Sequence, residues 1–73
     1  MSTLRDIKII EAILFASSEP VSEEDLKDKI VKKSEFNNYI EEIKNHYENR
    51  GINLLKTGKK WSFRTAEELS DDL

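Results

Sequence analysis

Residue types that carry catalytic chemistry are sparse in this sequence, and their spacing matches no known metal-binding or nucleophile–base motif. His46 is the single histidine and the chain has no cysteine, whereas a zinc site takes three or four protein ligands. Ser17 and Ser18 have no candidate base near them in the sequence, so neither resembles an activated nucleophile. The sequence therefore predicts no catalytic, cofactor-binding or metal-binding residue, and it indicates that the protein is not an enzyme.

Acidic residues occur in pairs that do not require acid–base chemistry. The pairs are Glu23-Glu24, Glu41-Glu42 and Asp71-Asp72. They fall in the first turns or on the solvent faces of predicted helices, where the helix dipole and hydration account for a carboxylate. These pairs are therefore interpreted as surface residues.

Basic residues form a more suggestive group near the carboxyl end of the chain. No acid interrupts the segment between Gly51 and Thr65, and its four basic residues are candidates for weak phosphate contacts: Lys56, Lys59, Lys60 and Arg64. The helix predicted before them has the opposite balance, with Glu35, Glu41, Glu42 and Glu48 against Lys44 and Arg50. Such a helix would meet phosphates with the wrong sign. Solvated lysines are the favoured interpretation, and a weak contact with the DNA backbone is the alternative.

Length and composition limit the class of protein. A chain of 73 residues makes one small domain of marginal stability. Its net charge of −3 argues against non-specific attraction to nucleic acid or to anionic membranes. The absence of cysteine fits a cytosolic protein, and the longest apolar run is far too short to span a membrane. We expect a soluble, cytoplasmic protein.

Apolar periodicity predicts three helices. The first runs from about Leu4 to Ser17, and the second from about Glu23 to Val31 behind an N-cap at Ser22. Ser34 is predicted to cap the third helix, and Gly51 is predicted to end it in the left-handed conformation. The apolar stripe of this third helix consists of Phe36, Ile40, Ile43 and Tyr47.

From Ile52 onward the apolar period changes to two, which predicts a β-hairpin over 52–57 and 60–65. Gly58 suits the first central position of a type II′ turn, and Trp61 is expected to anchor the hairpin on the helices. Three helices followed by a two-stranded wing make a mainly α winged helix-turn-helix domain over residues 1–65. Thr65 and Glu68 form a capping box, so residues 66–73 are expected to begin a helix that leads to a second domain outside this chain.

The first predicted helix is apolar on nearly every side, which is unusual for a helix on a protein surface. We expect its unbroken stripe to pack inward: Ile9, Ala12, Ile13 and Ala16. The opposite side is then left for a two-fold contact with a second copy of the chain. The alternative is that the wing or the second domain of the same chain covers it. The candidate dimer interface is Leu4, Ile7, Glu11 and Leu14.

Three stretches resemble the segregation and condensation protein B family. They are an apolar helix followed by Glu-Pro and a serine cap over residues 10–22, the helix exit over 47–54, and the aromatic strand Lys60-Trp61-Ser62-Phe63-Arg64-Thr65. The resemblance implies the first of two winged-helix domains in a homodimer. It also implies binding to the kleisin, segregation and condensation protein A, and through it to the SMC ATPase in chromosome condensation and partition. A non-catalytic, nucleoid-associated interaction module is therefore expected. The alternative, based on the fold class and the basic wing, is a sequence-specific DNA-binding transcriptional regulator.

Overall fold

A computed structural model describes the backbone of residues 2–72 and the side chains of residues 4–69. The α-helices are α1 (Ser2–Ala16), α2 (Glu23–Asp28) and α3 (Phe36–Tyr47), and the strands are β1 (Val21–Ser22), β2 (Ile52–Thr57) and β3 (Lys60–Thr65). Short 3-10 helices occupy Lys33–Glu35 and Glu67–Asp72. The order of helices followed by a hairpin confirms the predicted winged-helix fold.

The sheet has three antiparallel strands in the order β1-β3-β2, one more than the sequence predicts. The extra strand β1 is only two residues long and pairs Val21 with Trp61. So short a strand has no apolar period to reveal it. Within the hairpin, Gly58 adopts φ 64° and no residue other than glycine has a positive φ among those described. Lys59 therefore has a negative φ, which fits the predicted type II′ turn and excludes type I′.

One hydrophobic core joins all three helices to the wing. Phe36, Ile40 and Ile43 are buried on α3, as the predicted stripe requires, and Leu26 and Ile30 face them from the α2 segment. From β3, Trp61 and Phe63 pack against this core while remaining half-buried. The wing is thus docked on the helices through its aromatic side, as expected.

The predicted faces of α1 are only partly correct, although Ile9 and Ile13 of the inward stripe do pack against the core. Asp6, Ile10 and Leu14 form its buried line, with Leu14 only 2 % exposed, whereas Ala12 and Ala16 are exposed. The larger side chains remove more apolar surface from water than the alanines do, and this decides which side faces the core. Leu14 therefore cannot belong to a surface contact, which removes it from the candidate dimer interface.

Two predicted helix ends also need correction. Helix α2 ends at Asp28 rather than Val31, although Ser22 caps its start by accepting a hydrogen bond from the Asp25 N–H at 3.1 Å. Ser34 does not cap α3, because it lies inside the 3-10 helix that precedes it. Helix α3 stops at Tyr47, and Gly51 does not have the left-handed φ predicted for it.

After β3 the chain forms the 3-10 helix Glu67–Asp72 rather than the first α-helical turn predicted from Thr65 and Glu68. Ala66 is buried at its start, and its N–H donates to the Gly51 carbonyl at 2.8 Å. This bond ties the segment to the beginning of β2. A second domain beyond residue 73 stays a prediction.

Candidate interaction surface

The outer side of α1 carries two large apolar side chains that nothing in the described chain covers. Leu4 is 58 % exposed and Phe15 is 77 % exposed. They stand at the two ends of the helix, with Lys8 exposed between them. This exposed side of α1 is therefore the candidate contact surface of the domain.

A shallow groove of about 210 Å³ borders this side, between α1 and α3. Its lining is mainly apolar with an acidic rim, and consists of Leu4, Ile7, Glu11, Glu42, Ile43, His46 and Tyr47. The hydroxyl of Tyr47 donates a hydrogen bond to the Glu11 carboxylate across the groove. Since that carboxylate accepts a hydrogen bond from the protonated phenol, it stabilises the neutral form and raises the pKa of Tyr47. The bond also fixes the position of the Glu11 side chain.

The structure separates the four candidate dimer residues. Leu4 is exposed, and Ile7 and Glu11 are half-buried where the groove meets solvent. Leu14 lies in the core. Sequence reasoning left Phe15 out of the candidate set, although its spacing of eleven residues from Leu4 puts both on one side of a helix.

Beneath α1, the buried carboxylate of Asp6 holds the connection between α2 and α3. It accepts hydrogen bonds from the backbone N–H groups of Val31 at 2.9 Å and Lys32 at 3.0 Å, and from the Tyr39 hydroxyl at 3.3 Å. Burial raises the pKa of Asp6, but the hydrogen bonds from Val31, Lys32 and Tyr39 outweigh it, so the pKa lies below its ordinary value. These bonds give Asp6 a positioning role that the sequence pattern did not indicate.

A second polar group joins the wing to α2. The Trp61 indole N–H donates to Glu23 at 3.3 Å, Lys27 Nζ lies 3.4 Å from the other Glu23 oxygen, and Lys56 Nζ lies 5.3 Å from the centre of the Trp61 ring. Burial raises the pKa of Glu23, but the Trp61 hydrogen bond and the Lys27 ammonium outweigh it and lower the pKa overall. These contacts fix the angle of the wing.

The structure does not gather the four candidate phosphate contacts into one patch. Lys56 and Lys59 line a depression beside α2, together with Lys27, Glu23 and Glu24. Lys60 lines a different depression, formed by residues 16–22. Arg64 is exposed near the far end of β3, opposite Asn53. One pair of cations, Lys56 and Lys59, and two separate ones, Lys60 and Arg64, replace the single basic surface suggested by the sequence.

Two other kinds of feature are absent from the described residues. No group of three or more His, Cys, Asp or Glu side chains has the geometry to hold a metal ion there. In the same part of the chain, no helix has the length and apolar character needed to cross a membrane.

Comparison with known proteins gives consistent matches. The profile of the family described as "Segregation and condensation complex subunit ScpB" matches residues 8–73. A segregation and condensation protein B homolog from Coxiella burnetii (strain RSA 493 / Nine Mile phase I) is 32% identical over 75 residues, which cover 96% of this chain. The aligned part is 36% of that relative, so the chain spans about a third of its length.

Two solved structures share the fold. A dimer of the ScpB N-terminal domain complexed with ScpA peptide superposes with a TM-score of 0.83 and 31% identity, covering 100% of this chain and 90% of that one. A conserved hypothetical protein from Chlorobium tepidum superposes with a TM-score of 0.78 and 25% identity, covering 94% of this chain and 46% of that one. With its winged-helix fold and the match over residues 8–73, the chain belongs to the family of the segregation and condensation complex subunit ScpB.

Proposed function

We propose that this chain is a non-catalytic interaction module that pairs with a second copy of itself and binds the kleisin subunit of a bacterial SMC complex. Through the kleisin it would act with SMC in chromosome condensation and partition, in the cytoplasm at the nucleoid. The observation that carries the proposal is the likeness over the whole chain to a dimeric ScpB N-terminal domain bound to a ScpA peptide.

The exposed side of α1 supports the pairing part of the proposal. Leu4 and Phe15 are both more than half exposed, in a domain whose other large apolar side chains mostly lie in the core. A two-fold axis presents the same patch twice, so one exposed helix face is sufficient for a symmetric contact. Of the candidate interface residues, Leu4, Ile7 and Glu11 remain in the proposal.

The charge of α3 supports an interaction module over a sequence-specific DNA-binding regulator. Within its observed bounds, α3 carries Glu41 and Glu42 against Lys44, which leaves an excess of one negative charge. A helix that reads the major groove must approach two rows of phosphates. We propose that any DNA contact is weak, made by the wing and independent of sequence.

Binding and sedimentation test the two parts of this proposal. We expect the chain to capture purified kleisin in a pull-down and to sediment as a dimer at tens of micromolar. The variant Phe15→Glu should sediment as a folded monomer, because it places two charges in the contact and leaves the core untouched. Leu55→Glu is the matched control, since Leu55 is 50 % exposed and lies on β2 rather than on α1. A wild-type monomer that also fails to capture kleisin would overturn the proposal.

A further inference from the structure

Four side chains on the outer side of α1 form a symmetric sequence of chemical types. Leu4, Lys8, Glu11 and Phe15 follow one another at spacings of four, three and four residues. At ~100° per residue these positions fall within about 60° of arc, so they form a single ridge. Along this ridge the order is apolar, positive, negative, apolar.

The ridge is complementary to a second copy of itself that runs in the opposite direction. When the ridge is read in the opposite direction, Phe15 takes the place of Leu4 and Glu11 takes the place of Lys8. Both exchanges share the same midpoint, which lies between Ile9 and Ile10. Leu4 and Phe15 are separated by about 16 Å along the helix axis, at ~1.5 Å per residue. A second ridge laid antiparallel would therefore meet apolar groups at both ends and opposite charges at the centre.

We infer that α1 packs antiparallel against α1 of a second copy, with Leu4 against the partner's Phe15 and Lys8 against the partner's Glu11. The inference rests on the dimer of the proposed function and adds its contact helix, direction and register. Phe15 and Lys8 thereby join Leu4 and Glu11 as interface residues.

The charges disfavour the parallel arrangement. Two parallel α1 helices related by a two-fold axis would place Lys8 opposite Lys8 and Glu11 opposite Glu11, and like charges at a contact are unfavourable. In the antiparallel arrangement the two-fold axis generates two Lys8–Glu11 pairs. Within the described residues Lys8 makes no ion pair inside its own chain, so it can pair with the second copy.

The surroundings of the ridge fit the approach of a second helix. The Tyr47 hydroxyl already holds the Glu11 carboxylate in place, which reduces the side-chain entropy lost on pairing. On the other flank, Ala12 and Ala16 are exposed. Their small side chains allow the two helix axes to come close, since the interaxial distance depends on the residues at the contact.

Cysteine cross-linking tests the register directly, because the native chain has no cysteine. We expect an equimolar mixture of Leu4→Cys and Phe15→Cys, treated with a short bismaleimide, to give a cross-linked heterodimer as the main product. Each variant alone should give little. The symmetric dimer has two Leu4–Phe15 contacts. In the mixed dimer both cysteines fall in one of these contacts, and the other contact keeps its native Leu4 and Phe15. Leu4→Cys mixed with Leu55→Cys is the matched control, since Leu55 is 50 % exposed and lies on β2, outside the proposed contact.

Charge exchange gives a second, independent test. We expect Lys8→Glu to weaken dimerisation by sedimentation on the order of tenfold, through two symmetric like-charge contacts. The double variant Lys8→Glu/Glu11→Lys should restore it, because the opposite charges then meet again. Circular dichroism checks that the double variant, which loses the Tyr47 bond, stays folded.

The outcomes separate this inference from the proposed function. A wild-type dimer without the Leu4–Phe15 cross-link, or a charge exchange that restores nothing in a folded double variant, overturns the register and leaves the dimer standing. A dimer cross-linked through Leu4→Cys alone would support a parallel pair instead and overturn the inference. A wild-type monomer with full kleisin capture removes the dimer and the register together, while kleisin binding stands.

Discussion

Asp6 is the residue whose role is least expected from its type. It is fully buried among apolar side chains, yet each of its oxygens accepts a backbone N–H from the segment after α2. A buried carboxylate is tolerated when hydrogen bonds replace its lost hydration. Asp6 thereby connects α1 to the turn between α2 and α3.

We expect acid to act on the fold through Asp6. A carboxyl whose pKa is lower in the folded than in the unfolded chain stabilises the fold above its unfolded pKa, and this contribution is lost as the pH falls through the folded pKa. Hydrogen bonds outweigh burial and lower the pKa of Asp6. Ionised Asp6 therefore stabilises the fold, and its protonation destabilises it. Wild-type stability should therefore decrease as the pH falls below about 4.

The variant Asp6→Asn isolates that contribution. It should unfold at a lower temperature than the wild type at neutral pH, because the amide keeps one acceptor oxygen and buries an NH₂ group. Its unfolding temperature should then change less on acidification. Thermal unfolding followed by circular dichroism over a pH series measures both effects, with Asp28→Asn on the exposed end of α2 as control. A variant with the same acid dependence as the wild type would contradict this role for Asp6.

At the scale of the elements, strongly periodic segments could be predicted and their ends could not. The α3 stripe of Phe36, Ile40 and Ile43 and the bounds of the hairpin agree with the sequence pattern. The end of α2 could not be predicted, because Asp6, far away in the sequence, accepts the N–H groups that another helical turn would use. The faces of α1 could not be assigned either, since apolar residues occur on every side and only packing selects among them.

The two glycines are expected to respond differently to replacement by alanine, because their backbone conformations differ. Gly58 has φ 64° in the hairpin turn, where any other L-residue is strained although no atom lies within 4 Å of an added Cβ. We expect Gly58→Ala to lower the free energy of unfolding by about 1 kcal/mol, the backbone cost of a left-handed residue. Gly51 has no positive φ, and an added Cβ would make an ordinary 3.7 Å contact with Leu69.

Gly51→Ala should therefore be neutral or slightly stabilising, because it restricts the unfolded chain without strain in the folded one. Urea unfolding of both variants measures the difference. The sequence alone predicted the reverse for Gly51, as a left-handed helix terminator. A loss at Gly51→Ala as large as that at Gly58→Ala would contradict this expectation and favour the left-handed conformation predicted from the sequence.

For the whole molecule, the distribution of charge decides what the basic wing can do. The candidate phosphate contacts lie in separate places, with Lys56 and Lys59 beside α2 and Lys60 across the hairpin. Glu23 and Glu24 share the lining of the first depression, so its net charge is small. The wing can therefore neutralise few phosphates at one time, and the chain as a whole is negative.

We expect DNA binding to be weak, independent of sequence and quickly lost as salt is added. Each phosphate contact contributes about −0.9 to the slope of log K against log salt, so two contacts give a slope of about −2. Fluorescence anisotropy with two unrelated duplexes over a salt series measures this slope. Lys56→Ala/Lys59→Ala should weaken binding to both duplexes equally and make the slope shallower by up to ~2. Lys44→Ala on α3 is the matched control and should change neither quantity. Nanomolar binding to one duplex alone at physiological salt, lost in Lys44→Ala, would instead place α3 in the major groove and favour the DNA-binding regulator.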